Sequence, residues 1–346
     1  MEIAESMEGE SEMKNLLKVC VSVGTCLCYC YGIGKVVGGG VRRLIFLLPI
    51  ISLFLFLPLT LSTVHLSGTV GFFLAWLANF KLILFAFQKG PLSHPNISFP
   101  RFAALACLPI KIKQKPHFHT HPLIYAAKGL AVAVMVKIYD YAHLIHPNLL
   151  MCLYCFHIYF LLEIILAAVA AVARALLGLE LEPQFDNPIR STSLQDFWGR
   201  RWNLMVTTIL RPTVYEPTLR AAMPFLGPRW APLPAVLGTF VVSGLMHELI
   251  LFYIGRLRPT FLMTAFFLLH GLCLTLEIVL KRALTASCRL PWFLSGPLTA
   301  GFVFATCTCL FLPEFIRCRI DVRAFQEYAD LGHLVKNLAS QFFHAK

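Results

Sequence analysis

Twenty-one consecutive residues, Leu44 to Val64, contain no Asp, Glu, Lys or Arg, and Leu233 to Ile254 contain one, Glu248. Wound as a helix, either stretch is long enough to cross the hydrocarbon core of a bilayer. Such stretches recur along the chain. Of its 346 residues 58% are hydrophobic and 14% charged, with a mean hydropathy of +0.70, whereas soluble domains carry about a quarter charged residues. A soluble globule is therefore excluded as the main architecture.

Runs of about 18 or more mostly apolar residues fall at Val19 to Val37, Leu44 to Val64, Leu66 to Phe87, Leu123 to Tyr139, Leu149 to Leu177, Leu233 to Ile254, Phe261 to Leu280 and Leu290 to Leu312. The expectation is an all-α polytopic membrane protein of about eight transmembrane helices. An acidic N-terminal tail covers residues 1–18, one membrane domain 19–320 and a C-terminal tail 321–346, the last with Leu331, Leu334 and Leu338 at helical spacing. No internal repeat divides the domain. The acidic start lacks the basic beginning of a cleavable signal, so an uncleaved signal anchor is expected.

The net charge of +12 gathers in connecting segments, among them Lys111, Lys113 and Lys115, and Arg200, Arg201 and Arg211. Basic loops beside apolar spans suit the cytosolic face and anionic headgroups. They do not suit nucleic acid, which calls for a basic face on a soluble module. Cys26, Cys28, Cys30, Cys152 and Cys155 lie within apolar runs, where a thiol acts as a small hydrophobe, and no spacing completes a zinc set. His117, His119 and His121 sit in a polar loop and read as a solvated face; no metal site is expected.

Between about 178 and 232 the apolar pattern breaks into a segment rich in charges, aromatics and prolines, expected to lie at the membrane interface. Thr192 with Gln195 matches a capping box, which predicts a helix from there through Asp196, Trp198, Arg201, Trp202 and Met205 to Arg211-Pro212. Two tryptophans and two arginines fall within Asp196–Asn203: arginine forks grip phosphates, and tryptophans anchor at headgroup depth.

Downstream, His247 stands near the middle of an otherwise apolar span. An ionisable group at that depth is costly and marks function, or else ties two helices together. Its neighbour Glu248 points roughly 100° away around the helix, so it is a candidate substrate contact and no assured partner of His247. His270 and Glu277, seven apart, share a helix face and are candidates to line a polar cavity; Lys81, Lys137, Asp140 and Glu163 read as paired or snorkelling groups. No Gly-x-Ser-x-Gly elbow occurs, which disfavours a serine esterase. A transporter would also place His, Glu and Lys inside helices, and at this level that reading stays open.

At Asn203 and His247 the chain resembles the membrane-bound O-acyltransferase superfamily, whose members pair a histidine within a hydrophobic helix with an upstream polar segment bearing Asn or His. Within it, LANFKLILFAFQKGPL, CLPIKIK, SLQDFWGRRWNLMVTTILRPTVY and VSGLMHELI are similar, in the same order, to segments of the plant wax synthases and the related plant sterol acyltransferases. The resemblance spans about Arg42 to Leu312. It implies an O-acyltransferase of the endoplasmic reticulum membrane that moves a long-chain acyl group from acyl-CoA, as co-substrate and without a further cofactor, to the hydroxyl of a long-chain fatty alcohol or of a sterol. His247 and Asn203 are the implied catalytic pair. Trp198, Arg200, Arg201, Trp202, Arg211 and Glu248 are the candidate substrate contacts. The partners are acyl-CoA, the lipid alcohol and the bilayer; whether the chain forms a homo-oligomer stays open.

Overall fold

The computed structural model describes residues 2–108, 122–177, 184–284 and 290–344. Lys111, Lys113, Lys115, His117, His119 and His121 lie outside the described residues. Among the described residues the fold is all helix, without strands. In chain order the helices are α1 (Glu2–Val36), α2 (Val41–Thr60), α3 (Val64–Ala86), α4 (Phe99–Cys107), α5 (Pro122–Tyr139), α6 (Pro147–Leu177), α7 (Leu194–Asp196), α8 (Leu204–Leu210), α9 (Glu216–Trp230), α10 (Pro232–Gly255), α11 (Leu262–Ala283), α12 (Trp292–Arg317) and α13 (Ile320–His344).

Seven described helices are long and apolar enough to span a membrane, namely α1 from Ser11, α2, α3, α6, α10, α11 and α12. The chain is a multi-pass membrane protein. The eighth expected stretch, Leu123 to Tyr139, forms α5, an 18-residue helix carrying Lys128 and Lys137, at the lower limit for a span. It packs on α6, where Lys128 pairs with Glu163. The acidic tail is continuous with the first span: Glu12 accepts hydrogen bonds from the backbone amides of Ser62 and Thr63, both at 2.9 Å, and so fastens α1 to the α2–α3 corner.

Without water to drive association, membrane helices meet closely only where side chains are small. Gly244 of α10 is such a point: a Cβ there would lie 2.8 Å from the Cα of Thr264 on α11. Gly271 of α11 repeats the device, with Phe240 Cβ 2.9 Å from the position of an added methyl. Buried Phe240, Phe266, Phe267 and Leu274 fill the seam between these antiparallel helices. Lys81, expected to be paired, is: its Nζ donates to the carbonyls of Leu105 and Leu108, each at 2.6 Å.

Three features of the 178–232 segment depart from the sequence expectation. The cap of α7 is Ser193, one residue after Thr192, its side chain accepting from Asp196 N at 3.1 Å. Nor is the following helix continuous, because Asn203 takes a left-handed backbone (φ 40) and starts α8 as a new helix. Asn is among the few residues other than glycine that adopt this conformation readily. Pro212 does not end α8; the chain widens into a π-turn over Arg211–Tyr215 and runs on into α9, the wider turn accommodating the missing amide donor.

Candidate active site

One face of α10 organises the site. Val236, Thr239, Ser243, His247, Ile250 and Ile254 recur every three or four residues and therefore form a single stripe. His247 stands within it. From Pro232 to His247 the stripe borders a cavity of about 500 Å³, and from His247 to Ile254 a second, of about 280 Å³. At 1.5 Å rise per residue His247 lies about 22 Å from the Pro232 end and about 10 Å from Ile254. α3 repeats the division, with His65, Gly68 and Phe72 bordering the smaller cavity and Trp76 the larger.

His247 and Asn203 border both cavities, so the two sequence-predicted residues, 44 positions apart, meet at their junction. His247 Nδ1 lies 2.7 Å from the carbonyl oxygen of Ser243, one turn earlier in α10. A carbonyl only accepts, so the neutral ring carries its proton on Nδ1 and keeps a lone pair on Nε2. Phe267 (ring centroids 4.3 Å apart) and Trp76 (5.2 Å, edge-on at 79°) hold the ring from two sides. Asn203 Oδ1 accepts from Val206 N at 3.5 Å as the cap of α8, which leaves its amide hydrogens available. Trp76 is 1% exposed and its Nε1 has no partner among the described residues. The sequence reading missed Trp76; its signal was a tryptophan deep within a span, away from the interfaces where this residue gathers.

The segment that presents Asn203 is gripped by α11. Glu277 accepts from the backbone amides of Leu194 (2.8 Å) and Gln195 (3.4 Å) and pairs with Lys281 at 2.6 Å. Two turns earlier on the same face, Trp198 Nε1 donates to His270 Nδ1 at 3.1 Å, and His270 Nε2 lies 2.8 Å from Thr306 Oγ1, which donates on to the Phe302 carbonyl. His270 and Glu277 do share a face. They border neither cavity, though, and act as clamps on the Trp198 segment.

The six candidate substrate contacts divide. Trp198, Trp202 and Arg211 border the larger cavity, and Arg282, which the sequence reading did not single out, joins them there. Trp202 stacks on Phe197 at 5.3 Å, and Arg211 is exposed with Glu216 3.7 Å away. Arg200 is exposed and borders neither cavity. Arg201 is engaged within the segment, its Nε 2.8 Å from Asp196 and its Nη1 donating to the Asp186 carbonyl. Glu248 faces away from His247: it is buried and accepts from Thr264 N at 3.2 Å, tying α10 to the first turn of α11. Both Arg201 and Glu248 thus serve the scaffold, because their helix faces point to neighbouring elements and away from the cavities.

The geometry is matched by sequence relationships. The profile of the Membrane bound O-acyl transferase family matches residues 181–269, which hold both Asn203 and His247. The chain is 50% identical over 92% of its length to Acyl-CoA–sterol O-acyltransferase 1 of Arabidopsis thaliana, covering 96% of that protein. It is 45% identical to the Long-chain-alcohol O-fatty-acyltransferase of Simmondsia chinensis, over 93% of this chain and 95% of that one. To Probable long-chain-alcohol O-fatty-acyltransferase 1 of Arabidopsis thaliana it is 43% identical, over 96% and 99%. With relatives this similar over nearly their whole length, the chain belongs to the membrane-bound O-acyltransferase family and is an acyl-CoA-dependent O-acyltransferase.

Proposed function

We propose that this enzyme esterifies a long-chain fatty alcohol with a long-chain acyl group from acyl-CoA, forming a wax ester within the endoplasmic reticulum membrane. The observation that carries the reading is the position of His247 and Asn203 at the junction of two cavities, the larger with the more polar lining. The larger has Arg211 and Arg282 at its outer end, and these are the groups to bind the CoA phosphates. Its walls near His247, including Trp76 and Phe267, take the thioester and the start of the acyl chain. The smaller, bordered by Phe72, Phe73, Leu161, Leu162, Ile165 and Leu166, takes the apolar body of the alcohol.

In the reaction His247 Nε2 accepts the proton of the alcohol hydroxyl while its oxygen attacks the thioester carbonyl. A positioned general base of this kind contributes about 10²- to 10⁴-fold. The carbonyl oxygen gains negative charge as the tetrahedral intermediate forms. Asn203 and Trp76 are the N–H donors beside the base that meet this charge. Collapse breaks the carbon–sulfur bond, and the departing CoA thiolate takes back the proton from Nε2, giving ester and free CoA. No cofactor beyond acyl-CoA enters this scheme. Shielding from bulk water protects the thioester from hydrolysis, and both alcohol and ester stay dissolved in lipid.

A sterol acceptor is the second reading, supported by the 50% identity to the Arabidopsis sterol acyltransferase. The deciding experiment expresses the full chain in yeast lacking its own sterol esterification and supplies fatty alcohol and sterol separately with labelled acyl-CoA. Wax ester as the main product supports the primary reading; steryl ester alone replaces it.

A further inference from the structure

The smaller cavity is apolar along most of its length, but at the end away from Asn203 its lining turns polar. His65, Tyr154, His157, Asp321 and Tyr328 converge there from α3, α6 and α13. This end lies by Val64 and Ile254, at the opposite end of α10 from Arg211 and Arg282. Three of these side chains, His65, Tyr328 and His157, join Glu327 of α13 in one ordered chain of hydrogen bonds. Glu327 accepts from the backbone amide of His65 (3.1 Å) and lies 2.6 Å from His65 Nδ1. His65 Nε2 lies 3.2 Å from the Tyr328 hydroxyl, and so does His157 Nε2.

The chain has a direction. Burial works to raise the Glu327 carboxyl, but hydrogen bonds from the His65 ring and from the amides of His65 and Val64 outweigh it and hold it below the ordinary carboxylate value. Burial pushes the Tyr328 phenol up to about 12, so it keeps its proton. A carboxylate only accepts, so Nδ1 of the His65 ring donates to Glu327; in the neutral ring Nε2 is then the acceptor for the Tyr328 hydroxyl proton. The Tyr328 oxygen then accepts from His157 Nε2–H. Each group is satisfied until the last: His157, 7% exposed, is left with a bare Nδ1 that has no partner among the described residues. If the chain only stapled α13 to α3 and α6, nothing would call for this orphaned acceptor, which costs stability when buried without a partner.

Building on the proposed function, we infer that this cluster is a docking station for the hydroxyl of the incoming lipid alcohol, with His157 as its acceptor and Tyr328, His65 and Glu327 fixing the tautomer of His157. An alcohol leaving the membrane interface must give up the hydrogen bonds of its one polar group before it can slide along an apolar passage. A station at the mouth replaces them, and His247, at the other end of the same cavity, replaces them again. The two substrates thereby approach the catalytic base from opposite ends of α10.

The test measures ester formation by the full-length enzyme in microsomes, with labelled acyl-CoA and a varied long-chain alcohol, for wild type, Tyr328→Phe and His157→Phe, each normalised to protein amount. The expected result for both variants is a rise of about tenfold in the KM for alcohol, the worth of one hydrogen bond. The KM for acyl-CoA and kcat at saturating alcohol should stay within about twofold. An unchanged alcohol KM in both variants overturns the station, as does a fall in kcat with both KM values unchanged, the mark of a staple alone. Failure of wild type to esterify any alcohol, fatty or sterol, overturns the proposed function and the station with it.

Discussion

His247 Nδ1 sits 2.7 Å from the carbonyl oxygen of Ser243, a residue one turn earlier on the same helix. That contact assigns the two ring nitrogens their tasks. The carbonyl fixes the proton on Nδ1 and leaves a lone pair on Nε2, the nitrogen proposed to take a proton from the alcohol. Replacing His247 by Ala should reduce esterification by at least about 10²-fold with protein amount unchanged, measured with labelled acyl-CoA in microsomes. Undiminished activity would remove His247 from the chemistry.

Asn203 has a backbone role and a side-chain role, and these are separable. Asn203→Gly retains the left-handed conformation without strain and loses only the carboxamide. We expect kcat to fall about 10²- to 10³-fold with little change in folding. Asn203→Ala adds backbone strain to the same loss, so it should also lower Tm in detergent. Recovery of wild-type kcat in the glycine variant would show that the residue acts through its φ angle alone.

Trp76→Phe keeps an aromatic ring against His247 and removes the unpartnered Nε1–H. If that group meets the developing oxyanion, kcat should drop about tenfold or more while both KM values hold, since the interaction strengthens only as the charge forms. A change confined to KM would instead make Trp76 a part of the binding wall.

The arginines should split by location. Arg211→Ala and Arg282→Ala, at the outer end of the larger cavity, should raise the KM for acyl-CoA more than they lower kcat. Arg201→Ala breaks the contact with Asp196 and should act on stability, by about 1.5–3 kcal/mol as judged by thermal unfolding, with little selective effect on that KM. The reverse pattern would restore Arg201 as the phosphate ligand.

Gly244→Val tests the helix contact behind His247. Even the first added carbon would lie 2.8 Å from the Thr264 backbone, so α10 and α11 must separate. Overpacking of this kind costs about 1–3 kcal/mol. Because His247 is one turn away and leans on Phe267 of α11, activity should fall further than the amount of folded protein does.

Reading along the chain was enough to place the helices and to single out His247 and Asn203. Apolar length and charge scarcity act within one segment, and a span needs no partner to reveal itself. The same holds for an imidazole within a span, which stands out against its own neighbours. Capping was legible only to within a residue: Ser193 takes the place of Thr192 because Glu277 and Lys281, more than 80 positions on, hold the Leu194 amide and the Ser193 hydroxyl. Arg201 and Arg211 look alike in sequence, yet one faces Asp196 and the other a cavity.

What the sequence by itself determined, then, is the solvent in which this protein folds, its helical class and the intramembrane imidazole that is its candidate base, since each is set by residues adjacent in the chain. Only the tertiary structure decided that Trp76 packs against that imidazole and Asn203 borders the same two cavities, that Glu248 is tied to the Thr264 amide, and that an apolar passage joins the imidazole to the His65–Glu327–Tyr328–His157 chain. Those relationships join helices that are distant in sequence, and the close approach of helices at Gly244 and Gly271 that helps to fix them is a property of pairs of surfaces and not of either one alone.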